Sequence, residues 1–324
     1  MRSQLLRSVW LVAALAASLV HAQDYPNKQI VVVVPFAAGG PTDTLARNLG
    51  VTLTNILKQQ VIIDNAGGAG GTIGINKVAK AKNDGYTLLL MHIGMSTSPA
   101  LYRKLPYDTL NDFEYIGQVA DVPMTMLGKK ALPPNNLKEL LPYLKANKEK
   151  LTYANAGLGA ASHLCGLLFM SQNEIDLTTV PYKGTAPAMT DLIGGQVDLM
   201  CDQTTNTTQQ IKAGTVKVYG VTSAQRIPSL KEIPTLAEQG MKGFEVVVWH
   251  GFYAPKGTPK PVMDKLVAAL KAAVQDAQFT ARLAELGAVP VPVAKANPES
   301  LRTHLQAEIK KWDPIIKKAG QYAD

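Results

Sequence analysis

An unbroken β-branched run, Ile30 to Val34, opens the stretch QIVVVVPFAAGGPTDTLAR and constrains the chain more than any other segment. Such a run suits a strand buried on both faces. Pro35 ends it, because proline cannot donate to a sheet ladder. Gly39 and Gly40 then form a turn whose amides no side chain screens. Pro41 fits the first position of a helix, and Leu45, Leu49 and Leu53 recur on one face of that helix. Strand, glycine turn and helix N-terminus together make a site for an anionic group. A plain tight turn is the alternative; a second such loop later in the chain favours the anion site.

The chain of 324 residues, 46% hydrophobic, is long enough for roughly two domains. Its +8 charge is scattered rather than striped, which argues against nucleic acid and for solvated surface with a mild bias toward anions. Residues 1–22 read as a signal peptide: Arg2 and Arg7, an apolar run from Val9 to Val20, and a small-residue cleavage site before Gln23. The run is short for a membrane span, and no cysteine marks a lipoprotein. The mature chain is therefore expected to be exported and soluble. Cys165 and Cys201 then sit in a compartment that permits a disulfide, and a bridge and two buried thiols both remain open.

Strand and helix signals alternate along the rest. Strands are expected at Val61 to Asp64, Tyr86 to His92, Phe113 to Val119, Met124 to Gly128, Leu151 to Ala154, Thr178 to Tyr182, Val197 to Cys201, Val216 to Val221 and Phe244 to Trp249. Gly94 to Pro99 reads as a loop with exposed amides and hydroxyls. Asn155 to Ser162 repeats the opening logic, with a helix starting at His163. The tail, Pro261 to Leu286 and Pro298 to Ile316, is helical by its apolar spacing. Alternation of this kind implies an α/β fold, with ligands at the C-terminal strand ends where the glycine loops lie.

The chain contains no G-x-S-x-G, H-E-x-x-H, C-x-x-C or phosphate-loop pattern. Gly157-x-Gly159-x-x-Ser162 nearly matches a dinucleotide fingerprint, so an exported nucleotide- or NAD-dependent enzyme stands as the alternative function. His92 and His304 read as structural or surface residues, while His163, where a glycine turn meets a helix, is divided between structure and ligand. Asp43 suits the helix dipole and a pairing with Arg47 better than ligand contact. Phe36, Tyr102, Trp249 and Phe252 divide between core and a pocket for an aromatic acid.

The ordered set of loops resembles the periplasmic receptors of tripartite tricarboxylate transporters, the Bug-type solute-binding proteins. The residues that carry the resemblance are Pro35-Phe36-Ala-Ala-Gly39-Gly40-Pro-Thr-Asp43, Asn65 with Gly68-Ala-Gly70-Gly71, and Asp84-Gly85-Tyr86. They continue with Asn155-Ala-Gly157-Leu-Gly159, Ser162-His163-Leu164, Val180-Pro-Tyr182-Lys183-Gly184, Gly194-Gly195-Gln196-Val197-Asp198 and Trp249-His-Gly251-Phe-Tyr-Ala254-Pro255. The two cysteines lie outside this pattern.

The resemblance implies a two-lobed, type II Venus-flytrap fold and a periplasmic receptor, not an enzyme, without cofactor or metal. It implies capture of a small carboxylate, a di- or tricarboxylate or an aromatic acid, and delivery to membrane permease subunits; a monomer is expected. Lobe one would be 23–123 plus 246–324, and lobe two 124–245. The candidate ligand-binding residues on lobe one are Phe36, Ala38, Gly39, Gly40, Asp43 and Thr97. On lobe two they are Gly157, Gly159, Ala160, Ser162 and His163, with Tyr182, Gly184, Thr185 and Asp202. These loops hold no arginine anchor, so the carboxylate would rest on amides, hydroxyls and ordered water.

Overall fold

The opening run does form a strand buried on both faces: Ile30, Val32, Val33 and Val34 are all inaccessible to solvent. The computed structural model describes Tyr25 to Ala319, so the signal-peptide reading lies outside the described residues. Its elements alternate almost throughout. They run β1 (Ile30–Val34), α1 (Pro41–Leu57), β2 (Val61–Asn65), α2 (Thr72–Ala79), β3 (Thr87–His92), α3 (Gly94–Leu101) and β4 (Phe113–Lys129). Next come α4 (Leu137–Asn147), β5 (Thr152–Asn155), α5 (Ala161–Asn173), β6 (Thr178–Pro181), α6 (Thr185–Ile193), β7 (Leu199–Gln203), α7 (Thr204–Lys212) and β8 (Val216–Val221). The chain closes with β9 (Val247–Pro255), α8 (Lys260–Ala273), α9 (Ala277–Glu285), β10 (Val289–Pro290) and α10 (Pro298–Ala319).

β1 pairs in parallel with β2 and β3, and β9 joins β3 to β4 in antiparallel fashion. On the other side β5 pairs in parallel with β6 and β7, while β7 and β8 both pair antiparallel with β4. β4 is the common strand. Its first part pairs with β9 up to Pro123↔Val247; from Met124↔Gln203 onward it pairs with β7. Sequence reading placed two strands here; the chain makes one. Asp121 and Pro123 look like breakers, yet Pro123 falls where the partner changes, a place that tolerates a missing donor.

Other departures share a cause. Gly94 to Pro99 is not an exposed loop but part of α3, with Ser96, Thr97 and Ser98 all buried. Their hydroxyls bond carbonyls one turn back, Ser96 to Ile93 at 2.6 Å and Ser98 to Gly94 at 3.0 Å, which lets a polar helix enter the interior. α7 has no apolar stripe and no sequence signal. Its buried threonines instead reach distant carbonyls: Thr204 to Gly287 at 3.0 Å and Thr208 to Leu286 at 3.1 Å. The helical tail divides at Asp276, whose carboxylate accepts the Phe279 amide at 2.8 Å and so starts α9.

Cys165 on α5 and Cys201 on β7 are joined as a disulfide, with 6.1 Å between their Cα atoms. The bridge lies one turn from Ser162 and directly before Asp202, so it ties the helix to the strand beneath the cleft.

Candidate functional site

Four helices begin at one small cavity. Pro41 and Thr42 of α1, Ala161 and Ser162 of α5, Thr185 of α6 and Gln203 at the head of α7 all line it, with Phe36, His92, Ala156, Ala160 and Asp202. The residues before these helices are Gly40, Ala160, Gly184 and Gln203, and none makes a side-chain capping bond. The positive dipole ends therefore converge with no side-chain cap on their first amides, Asp43 in the first turn of α1 and Asp202 before α7 being the carboxylates near them. Among the described residues, no lysine or arginine lines the cavity. What the cavity offers an anion is helix ends and hydroxyls rather than a point charge.

The cavity is about 10 Å3, room for roughly one water molecule. Its walls touch around it. The Ala37 amide donates to the Lys183 carbonyl at 3.1 Å, and Thr97 Oγ1 donates to Gly159 O at 3.0 Å. The Tyr102 hydroxyl, which donates to Ala69 O at 2.7 Å, also lies 3.2 Å from Leu158 O.

The opening loop is held from behind. Asp43, 2% exposed, accepts from the Gly39 amide at 2.8 Å, from Arg47 Nε at 2.8 Å and from Asn65 Nδ2 at 3.0 Å. Burial pushes its carboxyl up, but these donors and the Arg47 charge outweigh burial and hold it below the usual range. The second loop is held similarly. Ser162 Oγ accepts from the Ala156 amide at 2.9 Å, and His163 Nδ1 accepts from the Gly159 amide at 3.3 Å. The Tyr153 hydroxyl donates to the Ser162 carbonyl at 2.7 Å.

Of the residues named from sequence, Phe36, Ala160, Ser162, Thr185 and Asp202 line the cavity. The others lie elsewhere. Ala38 and Gly39 are exposed at the rim, and Gly40 caps α1 behind the lining. Asp43 and His163 spend their acceptors on loop amides, which makes them positioning residues. Thr97, Gly157, Gly159 and Gly184 form the contact between the walls; a Cβ on Gly157 would stand 3.0 Å from the Gly70 amide nitrogen. The Tyr182 hydroxyl turns to Asp191 at 2.7 Å. Ser162 is the second residue of α5, and Ala160 stands at the cap position, so the Ser162 hydroxyl does not cap that helix. Trp249 and Phe252 are core, and Tyr102 bridges the walls, which leaves Phe36 as the aromatic in the lining.

Sequence reasoning did not place Pro41, Thr42, His92, Ala156, Ala161 or Gln203 in the lining, and of these His92 and Gln203 bring the most chemistry. His92 ends β3 and stacks on Phe36 with ring centroids 4.6 Å apart. Its Nδ1 accepts from the Gly94 amide at 3.0 Å, so the ring proton sits on Nε2; burial lowers its pKa to about 3 and keeps it neutral. The rule that ligands sit at C-terminal strand ends points to β3, which His92 ends, as well as to the glycine loops. Gln203 follows Asp202 at the end of β7 and carried no local signal.

A family model described as the tripartite tricarboxylate transporter family receptor matches residues 45–321. The structure of the periplasmic binding protein BugD is 53% identical, with a TM-score of 0.90, over 93% of this chain and 100% of that one. MatC (Rpa3494) of Rhodopseudomonas palustris, solved with bound malate, is 38% identical with a TM-score of 0.86, over 90% and 100% of the two chains. Rpa4515 of R. palustris, solved with adipate, is 35% identical with a TM-score of 0.87, over 92% and 99%. These are two-lobed binding proteins rather than enzymes, and the nicotinamide reading of Gly157 to Ser162 gives way to a receptor. The chain belongs to the tripartite tricarboxylate transporter receptor family.

Proposed function

We propose that this protein is an exported periplasmic receptor that captures a small carboxylate between two lobes and delivers it to membrane permease subunits. The observation that carries the reading is the convergence of four helix N-termini, none with a side-chain cap, on one cavity with no lysine or arginine among the described residues that line it. Malate and adipate on two relatives support a carboxylate. No helix among the described residues is long and apolar enough to cross a membrane.

Lobe one is taken as 23–123 plus 246–324 and lobe two as 124–245. The exchange of β4 partners between Pro123 and Met124 supports that division. A dicarboxylate is larger than the cavity, so binding requires the walls to part and close again about the strands that cross between lobes. A thermal-shift screen of mono- and dicarboxylates tests the reading. The cognate acid raises the melting temperature in step with RT ln(1 + [L]/Kd), and its methyl ester or amide does so far less. Equal stabilisation by acid and ester rejects the anion site.

A further inference from the structure

The junction of β7 and α7 leaves buried oxygens without partners beside the cavity. Asp202 is 1% exposed; its Oδ2 accepts from Asn206 Nδ2 at 2.6 Å, and its Oδ1 accepts nothing. Gln203 Oε1 has no partner either, and its terminal amide can turn to offer nitrogen or oxygen. The Thr185 hydroxyl lies close enough to Asp202 to favour its charged form, yet makes no hydrogen bond of normal geometry. All three residues line the cavity.

A plain carboxylate can accept from the Thr185 hydroxyl and from a turned Gln203 amide, but it brings no donor for Asp202 Oδ1, and an ionised Asp202 repels it. We propose that the cognate ligand bears a hydrogen-bond donor, a hydroxyl or an ammonium, on the carbon next to its carboxylate, and that Asp202 selects for it. The inference rests on the carboxylate reading above. Ser162, Thr185 and Asp202 line one cavity, so a carboxylate seated at Ser162 and Thr185 brings the carbon next to it, and a donor on that carbon, toward Asp202.

The charged and titratable groups around Asp202 do not offset its charge. His92 on β3 is neutral, and burial with the nearby His92 keeps His250 on β9 neutral too. His163 on α5 spends Nδ1 on its loop, and burial holds the Tyr153 hydroxyl on β5 protonated. Burial therefore pushes the Asp202 carboxyl up to about 6, against the opposing bonds from Asn206 and the Gln203 amide. An ammonium ligand favours ionised Asp202, so its affinity falls as pH drops through 6. A hydroxyl ligand donates to the ionised form and accepts from the protonated one, and its affinity changes less.

Titration calorimetry at pH 7.5 on matched four- and five-carbon dicarboxylates bearing hydrogen, hydroxyl or ammonium at carbon 2 tests the proposal. The expected result is at least a tenfold preference for a hydroxyl or ammonium compound over succinate and glutarate. Asp202→Asn should shrink that margin to about threefold or less, while succinate and glutarate bind more tightly than to the wild type. Repeating the series from pH 8 to pH 5 distinguishes ammonium from hydroxyl. A melting curve of the variant at or above that of the wild type at pH 7.5 establishes that it folds. If the unsubstituted acids bind as well as the substituted ones, or if Asp202→Asn leaves the margin intact, the selection role is wrong and the carboxylate site stands. If no carboxylate binds, the receptor reading fails and this inference falls with it.

Discussion

The wall built from β1 and α1 and the wall built from β5, α5, α6 and β7 share a plan of strand, glycine turn and uncapped helix. In the first wall Asp43 binds the Gly39 amide, Arg47 and Asn65, so its buried carboxylate is fully partnered. In the second, Thr185, Asp202 and Gln203 each keep a buried oxygen without a partner. The second wall also carries the disulfide, which pins α5 to β7. On the proposed carboxylate reading, the difference assigns a division of labour: the saturated loop presents helix amides to any carboxylate, and the unpaired oxygens on a braced frame are what would distinguish one ligand from another.

The largest expected effect comes from forcing the walls apart. A Cβ on Gly70, at φ +60°, would lie 2.0 Å from the Leu158 carbonyl oxygen of the opposite wall. Gly70→Ala should raise Kd at least about a hundredfold and enlarge the ligand-bound radius in small-angle scattering. Unchanged affinity would show that the walls need not meet.

Breaking the brace comes next. Paired Cys165→Ser and Cys201→Ser substitutions should lower the unfolding free energy by about 2–4 kcal/mol, read by denaturant titration. A loss well below 1 kcal/mol would mean that packing alone holds the second wall.

Asp202 links the comparison to pH. Its folded pKa, about 6, lies above the unfolded value of about 3.8. The fold therefore gains stability as pH falls from above 6 toward 4, and loses it as pH rises. Asp202→Asn should stabilise the ligand-free protein by up to about 3 kcal/mol at pH 8, a margin that vanishes near pH 4. Asp43, held low, has the opposite sign: its contribution is present at neutral pH and lost on acidification. A stability difference between Asp202→Asn and wild type that does not vary with pH would contradict the contrast.

Ser162 tests the shared plan. Its Oγ accepts the buried Ala156 amide, so Ser162→Ala should cost about 1–3 kcal/mol of stability without ligand. A normal melting curve would mean the loop needs no such tie. The smallest effect lies away from the cleft. Asn136 caps α4 by accepting the Glu139 amide at 2.9 Å, and Asn136→Ala should cost about 1 kcal/mol and leave ligand affinity unchanged. A drop in affinity there would show that the cleft depends on distant helix ends.

Local pattern alone determined the alternation of strands and helices, the glycine turn at Gly39 and Gly40, and the helix that Pro41 opens. Those features follow from side-chain shape and spacing within about ten residues, which a sequence displays directly. The ordered loops also identified the family and placed Phe36, Ala160, Ser162, Thr185 and Asp202 near one cleft. Tertiary structure decided the rest. It made Phe113–Lys129 one strand, buried the threonines of α7, closed the disulfide across 36 residues and brought His92 and Gln203 to the cavity. It also decided that Asp43 is satisfied and Asp202 is not. Whether a polar atom is paired depends on groups that arrive from elsewhere in the chain, and no local spacing encodes which of them will reach it.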